Sequence, residues 1–140
     1  MTILVPLDAS EVSLAAIPVA VELATAFGDD LLLVTVADPA VTRYSTETFV
    51  DVAAELDAKL AEVAGSLGDI PVDTDVVPGD DAATGILDRA SFGDVRMIVL
   101  ATHGRTALQR WPMGSVATRV VEGATLPVLV VPAPWKAGRR

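Results

Sequence analysis

The residues best placed to do chemistry lie late in the chain. Leu100-Ala101-Thr102-His103-Gly104 is followed by nine residues, Arg105 to Met113, and then by Gly114-Ser115-Val116. Glycine lets backbone N–H groups approach an anion closely, and a helix start adds unpaired donors and a partial positive charge. The run Met97-Ile98-Val99-Leu100 just before reads as a buried strand, and a valine-rich helix is expected from Ser115. A strand, a loop with glycines at both ends and a helix N-terminus together describe a phosphate site, so the chemistry expected is the holding of a nucleotide's phosphates. Ser115 can serve as the helix N-cap and also turn its hydroxyl to a phosphate. Arg105 and Arg110 either neutralise phosphates or are ordinary loop charges. Trp111 and Pro112 stiffen or cover the loop before Gly114. His103 is the one histidine and there is no cysteine, so neither a catalytic zinc site nor a disulfide framework is expected.

Strands and helices must alternate to carry such a loop. Ile3-Leu4-Val5 is a short apolar strand, and the turn Pro6-Leu7-Asp8-Ala9-Ser10 leads to a helix capped by Ser10. That helix runs to about Phe27, with Leu14, Ile17, Val21 and Ala24 on one face, and Pro18 should bend it or split off its first turn. Leu31 to Val36 is a second buried strand, and Ala37 to Thr46 lacks periodicity and reads as a loop. Apolar residues at Val50, Ala53, Leu56, Leu60, Val63 and Leu67 mark an amphipathic helix over about Glu47 to Leu67. Val72, Thr74 and Val76 alternate with Asp73 and Asp75, as on an edge strand with one wet face. Asp80 or Asp81 then caps a helix through Ile86, Leu87 and Ala90. Met97 to Leu100 and Leu126 to Val131 are the fourth and fifth strands, with the helix from Ser115 to about Glu122 between them. This order implies right-handed crossovers and a parallel sheet covered on both faces. Ligands bind such sheets beyond the carboxyl ends of the strands, where Pro6 to Ser10, Val36 to Asp38 and Leu100 to Ser115 can converge.

The 140 residues suit one domain, with half of them apolar. No apolar run approaches the roughly 20 residues of a membrane span. The first residues have no basic region and read as a strand, not a secretion signal. A cytoplasmic protein is expected, without membrane partners. The net charge of −9 repels nucleic acid. The stretch 133–140 reads as a flexible basic tail.

Familiar nucleotide and hydrolase signatures are absent: there is no Walker A lysine, no Gly-x-Gly-x-x-Gly after the first strand and no Gly-x-Ser-x-Gly. Instead, Val5-Pro6-Leu7-Asp8-Ala9-Ser10, Val76-Val77-Pro78-Gly79-Asp80, Ala101-Thr102-His103-Gly104-Arg105, Gly114-Ser115-Val116-Ala117 and Pro127-Val128-Leu129-Val130-Val131 occur in order along nearly the whole chain. Together they resemble the universal stress protein family, in its ATP-binding form. The resemblance implies an α/β fold over residues 1–132, a single open five-stranded parallel sheet of order 3-2-1-4-5 with helices on both faces. It implies a homodimer joined through Val128, Leu129, Val130 and Val131 of the last strand. The family's ATP signature is Gly-x-x-Gly, nine residues, then Gly-Ser or Gly-Thr, and here Ala101 stands at its first position. The resemblance places Asp8 and the backbone of Val36 at the adenine. Pro6, Leu7 and Leu100 line the base and ribose pocket, Ala101 adds its methyl near the ribose, and Gly104, Arg105, Gly114, Ser115 and Val116 complete the expected nucleotide-binding set. Mg²⁺ would be held mainly by those phosphates. The function implied is a nucleotide-dependent sensor or signalling module in stress response. Two alternatives stay open: a slow ATPase or phosphotransferase using Asp8 or His103, and a dimeric scaffold that binds no nucleotide.

Overall fold

The computed structural model describes residues 1–8, 10–42, 46–103 and 114–133. In chain order the elements are β1 (Thr2–Pro6), α1 (Glu11–Leu14), α2 (Ala16–Phe27), β2 (Asp30–Ala37), α3 (Phe49–Gly65), β3 (Val72–Pro78), α4 (Ala82–Ala90), β4 (Val95–His103), α5 (Ser115–Gly123) and β5 (Val128–Ala133). The strands pair in parallel in the order β3-β2-β1-β4-β5. The sheet is therefore the open five-stranded one anticipated, and the winding reverses between β1 and β4.

The inner strands are apolar on both faces because both faces are covered. Ile3, Val5, Leu31, Leu33 and Val99 point to one side and pack with Ala16, Ile17, Ala20 and Ala24 of α2 and Leu60 of α3. Their alternates Leu4, Leu32, Val34, Ile98 and Leu100 point to the other and pack with Ala83, Ile86 and Ala90 of α4 and Ala117 and Val120 of α5.

The first helix is split as Pro18 requires. A continuous helix would drive the proline ring into the carbonyl of Leu14; instead α1 ends at Leu14 and α2 starts at Ala16. The break turns Leu14 out to 39 % exposure, so it leaves the buried face on which the periodicity placed it. In α3 the predicted stripe packs inward from Ala53 on, but Val50 is 74 % exposed in the first turn. That helix starts at Phe49, not at the expected Glu47, because Thr48 and Asp51 close a capping box there. The stretch predicted as a loop before α3 contains a 3-10 turn at Pro39–Thr42, started by Asp38, whose Oδ1 accepts the Ala40 N–H at 2.8 Å. Two strands outrun their apolar cores. β4 continues through Ala101, Thr102 and His103, which the sequence pattern assigned to the loop, and β5 spans Val128 to Ala133 instead of starting at Leu126.

The amino ends of the strands are tied by charge. The side chain of Asp29, 2 % exposed, accepts from Arg96 and faces the Met1 amine at 3.4 Å, while Arg96 lies 4.7 Å from the Phe27 ring centre. The Arg96 hydrogen bond holds the Asp29 carboxyl below its ordinary range.

Candidate functional site

At the carboxyl ends of the strands a cavity of about 260 Å³ opens over the reversal point between β1 and β4. Pro6 lines it from the end of β1 with Leu7 and Asp8 just beyond, Val34 and Val36 from β2, and Leu100, Ala101 and Thr102 from β4. Ala82 and Ile86 of α4 and Gly114, Ser115, Val116 and Ala117 close the far wall. Nine of the eleven site residues expected from the sequence therefore meet in one place: Pro6, Leu7, Asp8, Val36, Leu100, Ala101, Gly114, Ser115 and Val116. Gly104 and Arg105 lie outside the described residues, as do Arg110, Trp111 and Pro112. Of the Val36 to Asp38 segment only Val36 lines the cavity.

Asp8 is held by the turn it starts. Its Oδ1 accepts both the Ser10 N–H at 3.0 Å and the Ser10 hydroxyl at 2.5 Å. Ser10 in turn caps α1, its Oγ accepting the Ser13 N–H at 3.2 Å. The Ser13 hydroxyl donates to the Ser10 carbonyl at 2.8 Å and accepts the Asp8 N–H at 3.3 Å. Partial burial pushes the Asp8 carboxyl up, and the bonds from Ser10 and Ser13 outweigh it, so the group is held below its ordinary value. The site thus keeps an ionised carboxylate with Oδ1 already engaged.

Another part of the cavity lining, at the start of α5, carries donors. Gly114, not Ser115, is the N-cap of α5; Ser115 is the first helical residue. The first intrahelical bond runs from the Thr118 N–H to the Gly114 carbonyl at 3.0 Å. The N–H groups of Ser115, Val116 and Ala117 consequently have no acceptor within the helix. Gly114 is tied to β4 by its own N–H, which the Thr102 hydroxyl accepts at 2.9 Å. Its backbone, at φ −73° and ψ 171°, is open to any residue, so the fold itself does not demand glycine here.

Val36 is placed by the helix above it. A Cβ on Gly85 would lie 2.8 Å from Val36 Cγ1 and 2.9 Å from Cγ2, so α4 can rest on the end of β2 only because residue 85 is glycine. This contact brings Ala82 and Ile86, which are not among the site residues expected from the sequence, over the cavity. The signal was Gly85 inside a helical pattern, which marks a close approach. Thr102 lies in β4 beyond the apolar run that ends at Leu100, and Val34 lies within β2, where its residue type signals only burial.

Chemically the cavity lining combines the Asp8 carboxylate, apolar side chains such as Val34, Val36, Ile86 and Leu100, and the first N–H groups of α5. No Lys or Arg is among the described residues that line it. Among the described residues no group of three or more His, Asp or Glu is arranged to hold a metal ion, and no helix is long and apolar enough to cross a membrane.

An open parallel sheet with a cleft at its reversal point defines a doubly wound α/β domain. Residues 1–132 match the Universal stress protein family. A universal stress protein of Methanocaldococcus jannaschii is 32 % identical, the alignment covering 96 % of this chain and 83 % of that protein. The chain belongs to the universal stress protein family. Among solved structures, a universal stress protein in complex with cAMP superposes with a TM-score of 0.71 at 20 % identity, over 94 % of this chain and 96 % of that one. The Archaeoglobus fulgidus universal stress protein in complex with dAMP gives 0.69 at 22 % identity, over 94 % and 97 %.

Proposed function

We propose that this chain binds an adenine nucleotide, ATP with Mg²⁺, and acts as a nucleotide-dependent sensor or signalling module in the cytoplasmic stress response, as a homodimer. The observation that carries the reading is the polarity of the cavity. A triphosphate is repelled by the Asp8 carboxylate and stabilised by the free N–H groups and partial positive charge at the start of α5. The same carboxylate accepts hydrogen bonds from the base, and Val34, Val36, Ile86 and Leu100 offer an apolar slot for a planar ring. The cAMP and dAMP complexes of two proteins of the same fold support an adenine nucleotide as the occupant. Mg²⁺ fits as a cation carried in by the phosphates: Ser115 can add one hydroxyl oxygen, and the cation would neutralise phosphate charge.

Gly114→Ala tests the donor end. A Cβ there would sit 3.8 Å from Thr102 Oγ1, an ordinary contact, so the free protein accepts it. The loss of the better N-cap should cost about 0.5–1 kcal/mol in urea unfolding. In calorimetric titration Mg-ATP affinity should fall at least tenfold, because the methyl occupies the face on which a phosphate must approach the backbone. Unchanged affinity would remove the phosphates from α5. A wild-type protein that neither binds Mg-ATP nor carries nucleotide through purification would favour the scaffold reading.

A further inference from the structure

Two walls of the cavity come from helices on different crossovers, Ala82 and Ile86 from α4 and Ser115, Val116 and Ala117 from α5. Where α5 begins relative to α4 decides where its free N–H groups aim. One tether is the Gly114 bond to Thr102 on β4. A second lies outside the cavity wall. Asp81, the N-cap of α4, accepts from both terminal nitrogens of Arg119, Nη1 to Oδ1 at 2.6 Å and Nη2 to Oδ2 at 2.5 Å. Arg119 follows Ser115 by four residues, so it shares a face of α5 with the first residue of the helix. Asp81 is fixed in its turn, since its Oδ2 also accepts the Thr84 hydroxyl at 2.5 Å and the Thr84 N–H at 3.3 Å. At the other end of the same helix pair, a Cβ on Gly123 would lie 2.7 Å from Leu87 Cδ1, so the two helices are in close apolar contact there. The α4–α5 pair is thus packed at one end and latched by charge at the other, and the latched end adjoins the cavity.

We propose that the Asp81–Arg119 pair is a latch that positions the start of α5 and thereby sets affinity for the phosphate portion of the nucleotide. The inference rests on the nucleotide reading above. Arg119 is a positioning residue and does not touch the ligand. The field of a helix terminus falls off within its first turn, so a small swing of α5 weakens phosphate binding. The slot between β1, β2 and α4 is left as it was, because Ala83, Ile86 and Ala90 keep α4 on the sheet, while Ala117 and Val120 keep the body of α5 there and limit the swing to a small one.

Asp81→Ser keeps an N-cap on α4 and removes the pair, and Arg119→Gln removes the pair without touching α4. Wild type, both variants and the double variant are titrated with Mg-ATP and with adenosine, with thermal unfolding recorded beside them. Each single variant should lose about threefold to fivefold in Mg-ATP affinity, the size of an exposed charge pair. Adenosine affinity should not change, and the double variant should be no worse than either single one. Parallel losses for adenosine and Mg-ATP, or no loss for Mg-ATP, would overturn the latch while leaving the nucleotide reading standing. Additive losses in the double variant would also overturn it, by making Arg119 a direct phosphate ligand. If wild type binds neither compound, both inferences fall. Arg119→Lys keeps the charge without the planar fork; it should recover part of the Mg-ATP affinity, and it keeps the comparison decisive if the glutamine variant does not fold.

Discussion

Asp8 owes its fixed orientation to Ser10. The sequence made both residues legible, Asp8 as a carboxylate at a strand end and Ser10 as a helix cap. It did not show that one hydroxyl does two jobs, accepting the Ser13 N–H and donating to Asp8 Oδ1, because cap preference says nothing of where the hydroxyl proton goes. The pH consequence has a definite sign. A carboxyl whose folded pKa lies below its ordinary value of 3.8 contributes stability that is complete above that value and lost as pH falls through the lowered one. Ser10→Ala removes the cap and the short bond together. Carboxyl-carbon NMR should place the Asp8 midpoint below 3.8 in the wild type and higher in the variant. Urea unfolding near neutral pH should show a loss of about 1 kcal/mol from the cap. An unmoved midpoint would mean that the Ser10 hydroxyl does not hold the charge.

At the scale of elements, the strands were the most legible part, because burial on both faces leaves continuous apolar runs such as Ile3-Leu4-Val5 and Met97 to Leu100. Their ends were not. Ala101, Thr102 and His103 continue β4 through backbone pairing with Val131, Pro132 and Ala133, a long-range match that no local pattern announces. The glycine within α4 belongs to the same class, since only the fold reveals that it faces Val36. Gly85→Ala sets two effects against each other. Alanine is about 1 kcal/mol better than glycine inside a helix, whereas forcing a methyl into filled space costs about 1–3 kcal/mol. Val36 is β-branched and stiff, and its Cβ also lies within 3.4 Å of the added methyl, so the steric cost should win. Net destabilisation of up to about 2 kcal/mol is expected in urea unfolding. Val36→Ala makes room for the methyl, so the double variant should be more stable than the sum of the single losses predicts. Strict additivity would show that α4 slides instead, which would also displace Ala82 and Ile86 from the cavity.

For the molecule as a whole, the two edges of the sheet differ in character. β3 ends the sheet with alternate charged residues, Asp73 and Asp75, of the kind that blunt an edge. β5 ends the other side with Val128, Leu129, Val130 and Val131, and Leu129 remains 36 % exposed. Pairing of two β5 strands across a two-fold axis would satisfy the outer backbone groups and cover that apolar edge. The net charge of −9 on each protomer opposes the approach. Long-range repulsion of this kind is screened over about 8 Å at physiological ionic strength. The proposed dimer should therefore tighten as salt is added, the reverse of an interface built on ion pairs. Leu129→Glu puts two like charges near the axis and should yield a folded monomer, with wild-type circular dichroism, in sedimentation at micromolar concentration. A wild-type protein that sediments as a monomer under those conditions would refute pairing through β5. A dimer unaffected by Leu129→Glu would move the interface to another surface.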